Sequence, residues 1–181
     1  MRKINLLAVV LFVAIAGSAI AQPTNAIKIN LLSPVARTLN LAYEHAINEN
    51  GSFQLGFFYS GAKVGDTKIS GWGLTPEYRF YLSQTPAPNG FYVAPFIRYN
   101  SFTAQDKPDN STVNKATVTQ FGGGVVVGRQ WVFKERVTFD MFIGPKYQSS
   151  TIKVTSGTDN FSGSLFSNFG IRGGITLGVA F

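Results

Sequence analysis

The sequence predicts an all-β fold, an eight-stranded antiparallel up-and-down transmembrane β-barrel. After residue 21, apolar and polar residues alternate with a period of two in almost every segment, whereas the helical period is scarce. Turn-forming stretches rich in Gly, Pro, Asn and Ser separate these segments. One face of the segments carries aromatic and aliphatic side chains with almost no charge, which is typical of a lipid-facing surface.

The first four strands are predicted from runs in which every second residue is apolar. Their apolar faces lie within Ile27–Leu31, Leu39–Tyr43, Phe53–Tyr59 and Trp72–Leu82. The stretches SPVA and NENG separate the first three runs and predict turns, and GAKVGDTK predicts the loop before the fourth. Consecutive runs are therefore expected to form hairpins.

The last four strands have apolar faces within Phe91–Tyr99, Phe121–Trp131, Val137–Tyr147 and Phe169–Phe181. Turns are predicted at SQTPAPNG and FKER, and long polar loops at AQDKPDNSTVNK and SSTIKVTSGTDNFSGS. Each strand is expected to have roughly 8–13 residues. Turns after strands two, four and six, with longer loops after three, five and seven, are typical of outer-membrane barrels, and only the short SPVA departs from this alternation.

The N-terminal segment predicts a secretory signal peptide. Arg2 and Lys3 precede an apolar run from Leu6 to Ala16, and Ala19-Ile20-Ala21 gives the small-x-small pattern before a cleavage site. We therefore expect residues 1–21 to be removed and residues 22–181 to form one barrel domain. A transmembrane anchor is the alternative, but the apolar run is short.

Charge and cysteine content exclude several classes of protein. Without residues 1–21, 14 basic residues remain against nine acidic ones, and this excess of +5 is spread along the chain. Nucleic acid is not an expected partner, because no cluster of basic and aromatic residues is present. The chain has no cysteine, so disulfides and a lipid-modified cysteine are excluded.

The aromatic-rich face is expected to point outward into lipid. In a soluble lipocalin-like barrel, which is the alternative, the large apolar residues point inward and the other face is charged. Here the other face holds Gly, Ala, Thr, Asn and Gln with few charges, which suits a narrow lumen. Aromatic residues near strand ends are expected to form an interfacial girdle, namely Tyr43, Trp72, Tyr81 and Trp131.

Inward-facing charges are expected to pair across hairpins, because an isolated charge in a narrow lumen is costly. With the first hairpin centred near Val35, Lys28 lies diagonal to Glu44. With strands four and five centred near residues 86–87, Glu77 lies diagonal to Arg98.

The hairpin of strands seven and eight, centred near Gly157, places Asp140 diagonal to Arg172. Arg79 lies near the Glu77 pair. The predicted interior ion-pair network therefore contains Lys28, Glu44, Glu77, Arg79, Arg98, Asp140 and Arg172.

Prolines within three strands leave two interpretations open. Pro76, Pro95 and Pro145 lie in strands four, five and seven, on the outward face. Proline cannot donate a hydrogen bond to the sheet and is normally confined to edges and bulges. Either these residues mark bulges, or the strands break there.

The sequence offers no enzyme chemistry. The single histidine, His45, lies near a strand end, so neither a nucleophile with a base nor a His/Cys metal site is expected. The stretch FGGGVVVG lacks the Lys-Ser/Thr of a phosphate loop, and its glycines alternate along one strand face. We therefore expect no catalytic residue, no metal and no cofactor.

The inward face combines small and large residues. Glycines concentrate on strands six and eight, while Phe58, Tyr92, Phe96 and Phe142 point inward elsewhere. Size complementarity between the walls is one explanation. The other is a narrow cavity or lateral route for a small apolar ligand.

Four stretches resemble a family of small bacterial outer-membrane β-barrels whose function is uncharacterised: NAIKINLLSPVARTLNLAYEHAI, GLTPEYRFYL, YVAPFIRY and MFIGPKYQ. The resemblance covers Asn25 to Phe181 and implies that the three prolines belong to the fold. The chain is also similar to the OmpA-type eight-stranded barrel domain, without a peptidoglycan-binding domain. No catalytic residue comes with this resemblance.

The C-terminal stretch SNFGIRGGITLGVAF ends on an aromatic residue. It resembles the terminal signal that the barrel-assembly machinery recognises, with Val179 and Phe181 at its apolar positions, although Thr176 stands where a glycine is usual.

The expected protein is a monomer in outer-membrane lipid. It is expected to have a structural or envelope-associated role, with recognition by the loops around Asp106–Lys115 and Ser149–Ser164. A narrow channel for small or apolar solutes is the first alternative, and a soluble periplasmic ligand binder is the second.

Overall fold

The fold is seen in a computed structural model that describes residues 23–33, 38–64, 67–106, 114–156 and 168–181. The predicted signal peptide lies outside these residues, and its removal stays a prediction. No helix in the described part of the chain is long and apolar enough to cross a membrane.

Eight antiparallel strands form a single closed sheet. Their bounds are β1 Asn25–Asn30, β2 Thr38–Asn48, β3 Gly51–Val64, β4 Thr67–Tyr81, β5 Gly90–Asp106, β6 Asn114–Phe133, β7 Val137–Ser156 and β8 Phe169–Ala180. Each strand pairs with the next, and β8 pairs with β1, where Val179 lies opposite Ile27. The predicted eight-stranded antiparallel up-and-down barrel is confirmed in strand number, order and closure.

The two ends of the barrel are named by the strand termini that lie there. We call the end where β1 begins and β8 finishes the proximal end, and the opposite end the distal end. At the proximal end, Asn25 and Phe181 exchange backbone hydrogen bonds of 3.0 and 2.9 Å, which join the first residue of β1 to the end of the chain. The β2–β3, β4–β5 and β6–β7 connections also lie at the proximal end.

The strands β3 to β7 are longer than predicted, with 14 to 20 residues, whereas β1 is shorter, with 6. β6 and β7 have 20 residues each, and the β5–β6 ladder continues until Asp106 lies opposite Asn114. Part of each predicted long loop is therefore strand, because the polar segments there satisfy their backbone groups by pairing with each other. Of the segments expected to carry recognition, residues 107–113 and 157–164 lie outside the described part of the chain.

The alternation of side chains places the apolar face outside the barrel, as predicted. Phe121 and Ile143 on the outer face are 59% and 58% exposed, whereas Tyr92 and Val126 on the inner face are 1% and 0% exposed. This distribution is the reverse of that in a soluble barrel, whose large apolar side chains are buried inside.

One member of the predicted aromatic girdle was assigned to the wrong face. Tyr43 and Trp72 are 45% and 42% exposed on the outside, but Tyr81 is only 4% exposed and lies inside the barrel. Because Tyr81 directly follows the outward Phe80, the two-residue period itself directs it inward.

The three strand prolines neither break their strands nor mark bulges. Pro76, Pro95 and Pro145 lie within β4, β5 and β7, and the register is the same on both sides of each. The register shifts among the described residues lie elsewhere, at Ala46/Asn48 and Lys115/Ala116.

Glycines allow β6 and β7 to approach closely beside Pro145. A Cβ atom at Gly144 would collide with the Val125 carbonyl oxygen, and one at Gly124 would collide with the Pro145 carbonyl oxygen. These two glycines are therefore required by the shape of the wall and not only by the filling of the lumen.

Candidate functional site

Charged side chains fill the proximal half of the lumen. The two-residue period of the strands turns each of them inward, and Glu44 and Arg79 lie only a few residues from the proximal ends of β2 and β4. We call the group the ion-pair layer, and its members are Lys28, Glu44, Glu77, Arg79, Asp140 and Arg172. All except Arg172 are at most 2% exposed.

Lys28 on β1 contacts side chains of four other strands of the barrel. Its Nζ forms an ion pair with Glu44 Oε2 and donates hydrogen bonds to Gln54 Oε1 at 3.0 Å and to Gln130 Oε1 at 2.5 Å. The same nitrogen lies 3.8 Å from Asp140 Oδ2. The ammonium group is thus surrounded by acceptors, which a buried charge requires.

Glu44 on β2 is the acceptor for several neighbouring donors. Besides the Lys28 ammonium, its carboxylate accepts hydrogen bonds from Ser52 Oγ, from the Tyr81 hydroxyl at 2.7 Å and from Gln130 Nε2 at 3.1 Å. These donors come from β3, β4 and β6, so one carboxylate links much of the barrel circumference.

Arg79 on β4 spans the lumen to β6 and β7. Its Nε donates to Glu77 Oε1 at 2.8 Å, and its Nη1 donates to Gln130 Oε1 at 3.0 Å. Nη1 also lies 3.0 Å from Asp140 Oδ2, as an ion pair. The guanidinium group lies 4.3 Å from the centre of the Tyr92 ring, whose hydroxyl donates to Asp140 Oδ1 at 2.8 Å.

Arg172 on β8 completes the layer from its distal side. Its Nη1 donates to Glu77 Oε2 at 2.6 Å. The layer then contains three cations and three carboxylates, which balance in charge. Removing one member of such a buried group leaves an uncompensated charge, which typically costs about 3–5 kcal/mol.

The structure brings together the first predicted pair but not the second. Lys28 and Glu44 are diagonal neighbours, because Lys28 lies opposite Ala42. Glu77 and Arg98 are also diagonal in the observed register, but their side chains form no ion pair. Both carboxylate oxygens of Glu77 are already bound by other arginines, and Arg98 Nε donates instead to Asn100 Oδ1 at 3.0 Å.

The third predicted pair, Asp140 with Arg172, is not formed. Arg172 lies opposite Gly144, so the observed register differs from the predicted one by two residues and separates the two side chains. Asp140 contacts Arg79 and Lys28 instead.

Sequence reasoning missed the neutral polar members of this region. Ser52, Gln54 and Gln130 on the inner face are at most 4% exposed, and all hydrogen-bond to the ion-pair layer. The sequence pattern could have identified them, because each is a polar residue of inward parity close to the proximal end of its strand.

Above the ion-pair layer, towards the distal end, the lumen contains a cavity of about 130 Å³. Arg98 and Arg172 line it together with polar side chains of β1, β2 and β4, among them Asn30, Asn40 and Thr75. A small cleft beside it, between β5, β6 and β7, is lined by Arg98 and Lys146. The distal lumen is therefore rich in cations.

Aromatic rings position these cations. The Arg98 guanidinium lies 5.1 Å from the centre of the Phe58 ring, and that of Arg172 lies 4.4 and 4.8 Å from those of Phe96 and Phe142. Size complementarity is also present, because a Cβ at Gly174 would lie 2.7 Å from the Phe142 ring. The inward rings thus pack against small residues and guanidinium groups.

Groups suited to metal binding are absent from the described residues. No set of three or more His, Cys, Asp or Glu side chains in this part of the chain is arranged to hold a metal ion. His45 lies on the outside, where its Nδ1 is 2.9 Å from Asn25 Oδ1.

The two residues of the predicted assembly signal lie at the proximal end. Val179 pairs with Ile27 on one side and Val137 on the other, and Phe181 is 43% exposed. Their role in assembly stays a prediction.

Comparison with known proteins reveals an uncharacterised family and a shared fold. The model of a family described as "Protein of unknown function (DUF3575)" matches residues 6–160. A solved major outer membrane protein from Thermus thermophilus is 13% identical, with a TM-score of 0.52 and coverage of 87% of this chain and 99% of that one. No curated protein matches the chain.

Two further solved structures are more distant. Acinetobacter baumannii CarO is 12% identical with a TM-score of 0.44, covering 90% of this chain and 99% of that one. The N-terminal β-barrel domain of Pseudomonas aeruginosa OprF is 12% identical with a TM-score of 0.41, covering 88% and 98%. The match to an uncharacterised family and the fold shared with the Thermus protein confirm the resemblance predicted from the strand motifs.

Proposed function

The chain belongs to the family described as "Protein of unknown function (DUF3575)", and from its barrel we propose that it is an integral outer-membrane protein with a structural or envelope-associated role. Closure of the lumen by the ion-pair layer is the observation that carries the structural role. The barrel fold shared with the Thermus protein agrees with this proposal.

The outer surface supports membrane insertion. Large apolar side chains of every strand are exposed there, including Leu55 at 41%, Ile97 at 54% and Leu177 at 42%. Exposure of so large an apolar surface to water is unfavourable at about 25 cal/mol per Å², whereas lipid tails solvate it. A soluble periplasmic ligand binder would carry polar residues on this face.

The filled lumen favours a structural role over a channel. Side chains from β1, β2, β4, β7 and β8 meet in the ion-pair layer, and each charged group there contacts an opposite charge. A solute moving through the barrel would have to separate these buried pairs and leave charges uncompensated inside the lumen, which is costly.

Fractionation and conductance experiments test this proposal. The full-length protein, expressed in a Gram-negative host, should sediment with the outer membrane and migrate faster in gels when unheated than when boiled. In planar lipid bilayers the folded protein should leave the conductance at baseline. Recovery from the soluble periplasm would contradict membrane insertion, and discrete conductance steps would favour the narrow channel.

Under this proposal, the partners are outer-membrane lipid and the barrel-assembly machinery, and the barrel acts as a monomer. Recognition of other envelope components is assigned to the distal connections, which include residues 107–113 and 157–164. Deletion of either segment should leave membrane insertion unchanged, as measured by the same heat-dependent gel shift.

A further inference from the structure

We propose that the distal half of the lumen binds a small soluble oxyanion, a phosphate or a carboxylate, through Arg98, Lys146 and Arg172. This site goes beyond the envelope role proposed above, which requires only a folded barrel. Three observations support it: uncompensated positive charge, free hydrogen-bond donors and a cavity of suitable size.

Among the described side chains of the distal lumen, positive charge exceeds negative charge. Arg172 shares Glu77 with Arg79, and neither Arg98 nor Lys146 forms an ion pair with any carboxylate in the described part of the chain. Both arginines also act as like-charged neighbours of Lys146. The carboxylates of the ion-pair layer therefore do not neutralise Arg98 and Lys146. A bound anion would supply the missing negative charge.

The donors of Arg98 and Lys146 are only partly used. Arg98 donates from Nε to Asn100 Oδ1 at 3.0 Å, and Lys146 donates from Nζ to Gln148 Oε1 at 3.0 Å. These are the only hydrogen bonds of the two side chains among the described residues, and both acceptors are neutral amides. A guanidinium group has five N–H donors and an ammonium group three, so most of them are free to bind a ligand.

The cavity lined by Arg98 and Arg172, next to the small cleft that Arg98 and Lys146 line, has the size for a compact oxyanion. Its volume of about 130 Å³ is about ten times the roughly 10–15 Å³ that one water molecule needs on such a scale. Asn40 and Thr75 contribute neutral polar groups to its wall. The Phe58 ring holds the Arg98 guanidinium in place, which reduces the entropy lost on binding.

A soluble anion is favoured over a lipid headgroup because of the position of the site. The cavity lies inside a sheet that is hydrogen-bonded all the way round, so lipid outside the barrel is separated from it by the wall. A planar guanidinium group can donate to two oxygens of one phosphate or carboxylate at once, whereas chloride is a single spherical ion.

Calorimetric titration of the folded barrel tests the site. In maltoside micelles at constant ionic strength, balanced with sodium chloride, inorganic phosphate or acetate should bind the wild-type protein at one saturable site. Arg98→Gln and Lys146→Gln should each weaken this binding at least about tenfold, which corresponds to about 1.4 kcal/mol. Arg129→Gln, which removes an exposed cation stacked on Phe91 and Trp131, should not change it.

Each outcome decides for or against the site. Absence of saturable binding by either anion to a barrel that still shows its heat-dependent gel shift would overturn the anion site and leave the envelope role intact. Wild-type affinity in the Lys146→Gln variant, which breaks no ion pair and is expected to fold, would overturn it as well. Competition of phosphatidylglycerol in mixed micelles with phosphate would assign the site to a lipid headgroup and contradict a soluble ligand.

Discussion

Gln130 on β6 donates a hydrogen bond of 3.1 Å from Nε2 to Glu44 Oε2 on β2. These two strands are four apart in a ring of eight, so the bond joins opposite walls of the barrel. Oε1 of the same amide accepts hydrogen bonds from Lys28 and Arg79. A neutral side chain therefore connects the charges of the ion-pair layer across the whole lumen.

Truncation of this amide should destabilise the barrel. Gln130→Ala leaves donors of Lys28 and Arg79 without their acceptor, and buried unpaired groups cost about 1–3 kcal/mol each. We expect the free energy of unfolding to fall by about 2 kcal/mol or more, measured by urea titration in micelles. Gln84→Ala, at an exposed position of the β4–β5 connection, should change it by less than about 0.5 kcal/mol. Equal effects of the two substitutions would contradict the bridging role.

A double-mutant cycle should identify the partner of Glu77. Because Glu77 Oε2 contacts Arg172 Nη1 at 2.6 Å, Glu77→Gln and Arg172→Met should be coupled, with an interaction energy of about 0.5–3 kcal/mol. Glu77→Gln and Arg98→Met should add without coupling, since their side chains form no ion pair. Urea unfolding of the single and double variants measures both cycles. Stronger coupling with Arg98 would restore the pair predicted from hairpin geometry alone.

The features predicted correctly from the sequence are those set within one strand or between two strands of a hairpin. The period of two gave the inward and outward faces, and the centre of the first hairpin gave the diagonal contact of Lys28 with Glu44. Both follow from local geometry, because a residue's face is set by parity and a hairpin's register by its turn.

Contacts across the lumen could not be predicted in the same way. Arg79 of β4 reaches Asp140 of β7, and which distant strand a long side chain meets depends on the tilt and stagger of the closed barrel. The predicted register of β7 with β8 was also wrong by two residues. The sequence between these strands is long, and its turn-forming residues do not determine where the hairpin is centred.

Substitution of glycines by alanine should show which positions of the barrel wall require glycine and which tolerate a side chain. Gly144→Ala places a Cβ against the Val125 carbonyl oxygen, so the backbone must shift, and we expect a loss of at least about 1–3 kcal/mol in unfolding free energy. Gly170→Ala is the matched control. Its Cβ would lie 3.1 Å from the flexible Lys146 side chain, which can move away. Similar losses in the two variants would show that close approach of β6 and β7 does not limit stability.

Deletion of Phe181 should separate assembly in the cell from the stability of the barrel. Phe181 is 43% exposed, and it is held to Asn25 mainly through backbone hydrogen bonds. If Val179 and Phe181 form the signal read by the assembly machinery, the deletion should lower the folded fraction in the outer membrane several-fold. Refolding of the purified chain into micelles should then remain close to wild type, as measured by the heat-dependent gel shift. Phe169→Ala, at the distal end of β8 and 66% exposed, is the control and should assemble normally. Equal losses in cells and in micelles would instead assign Phe181 a purely structural role in closing β8 onto β1.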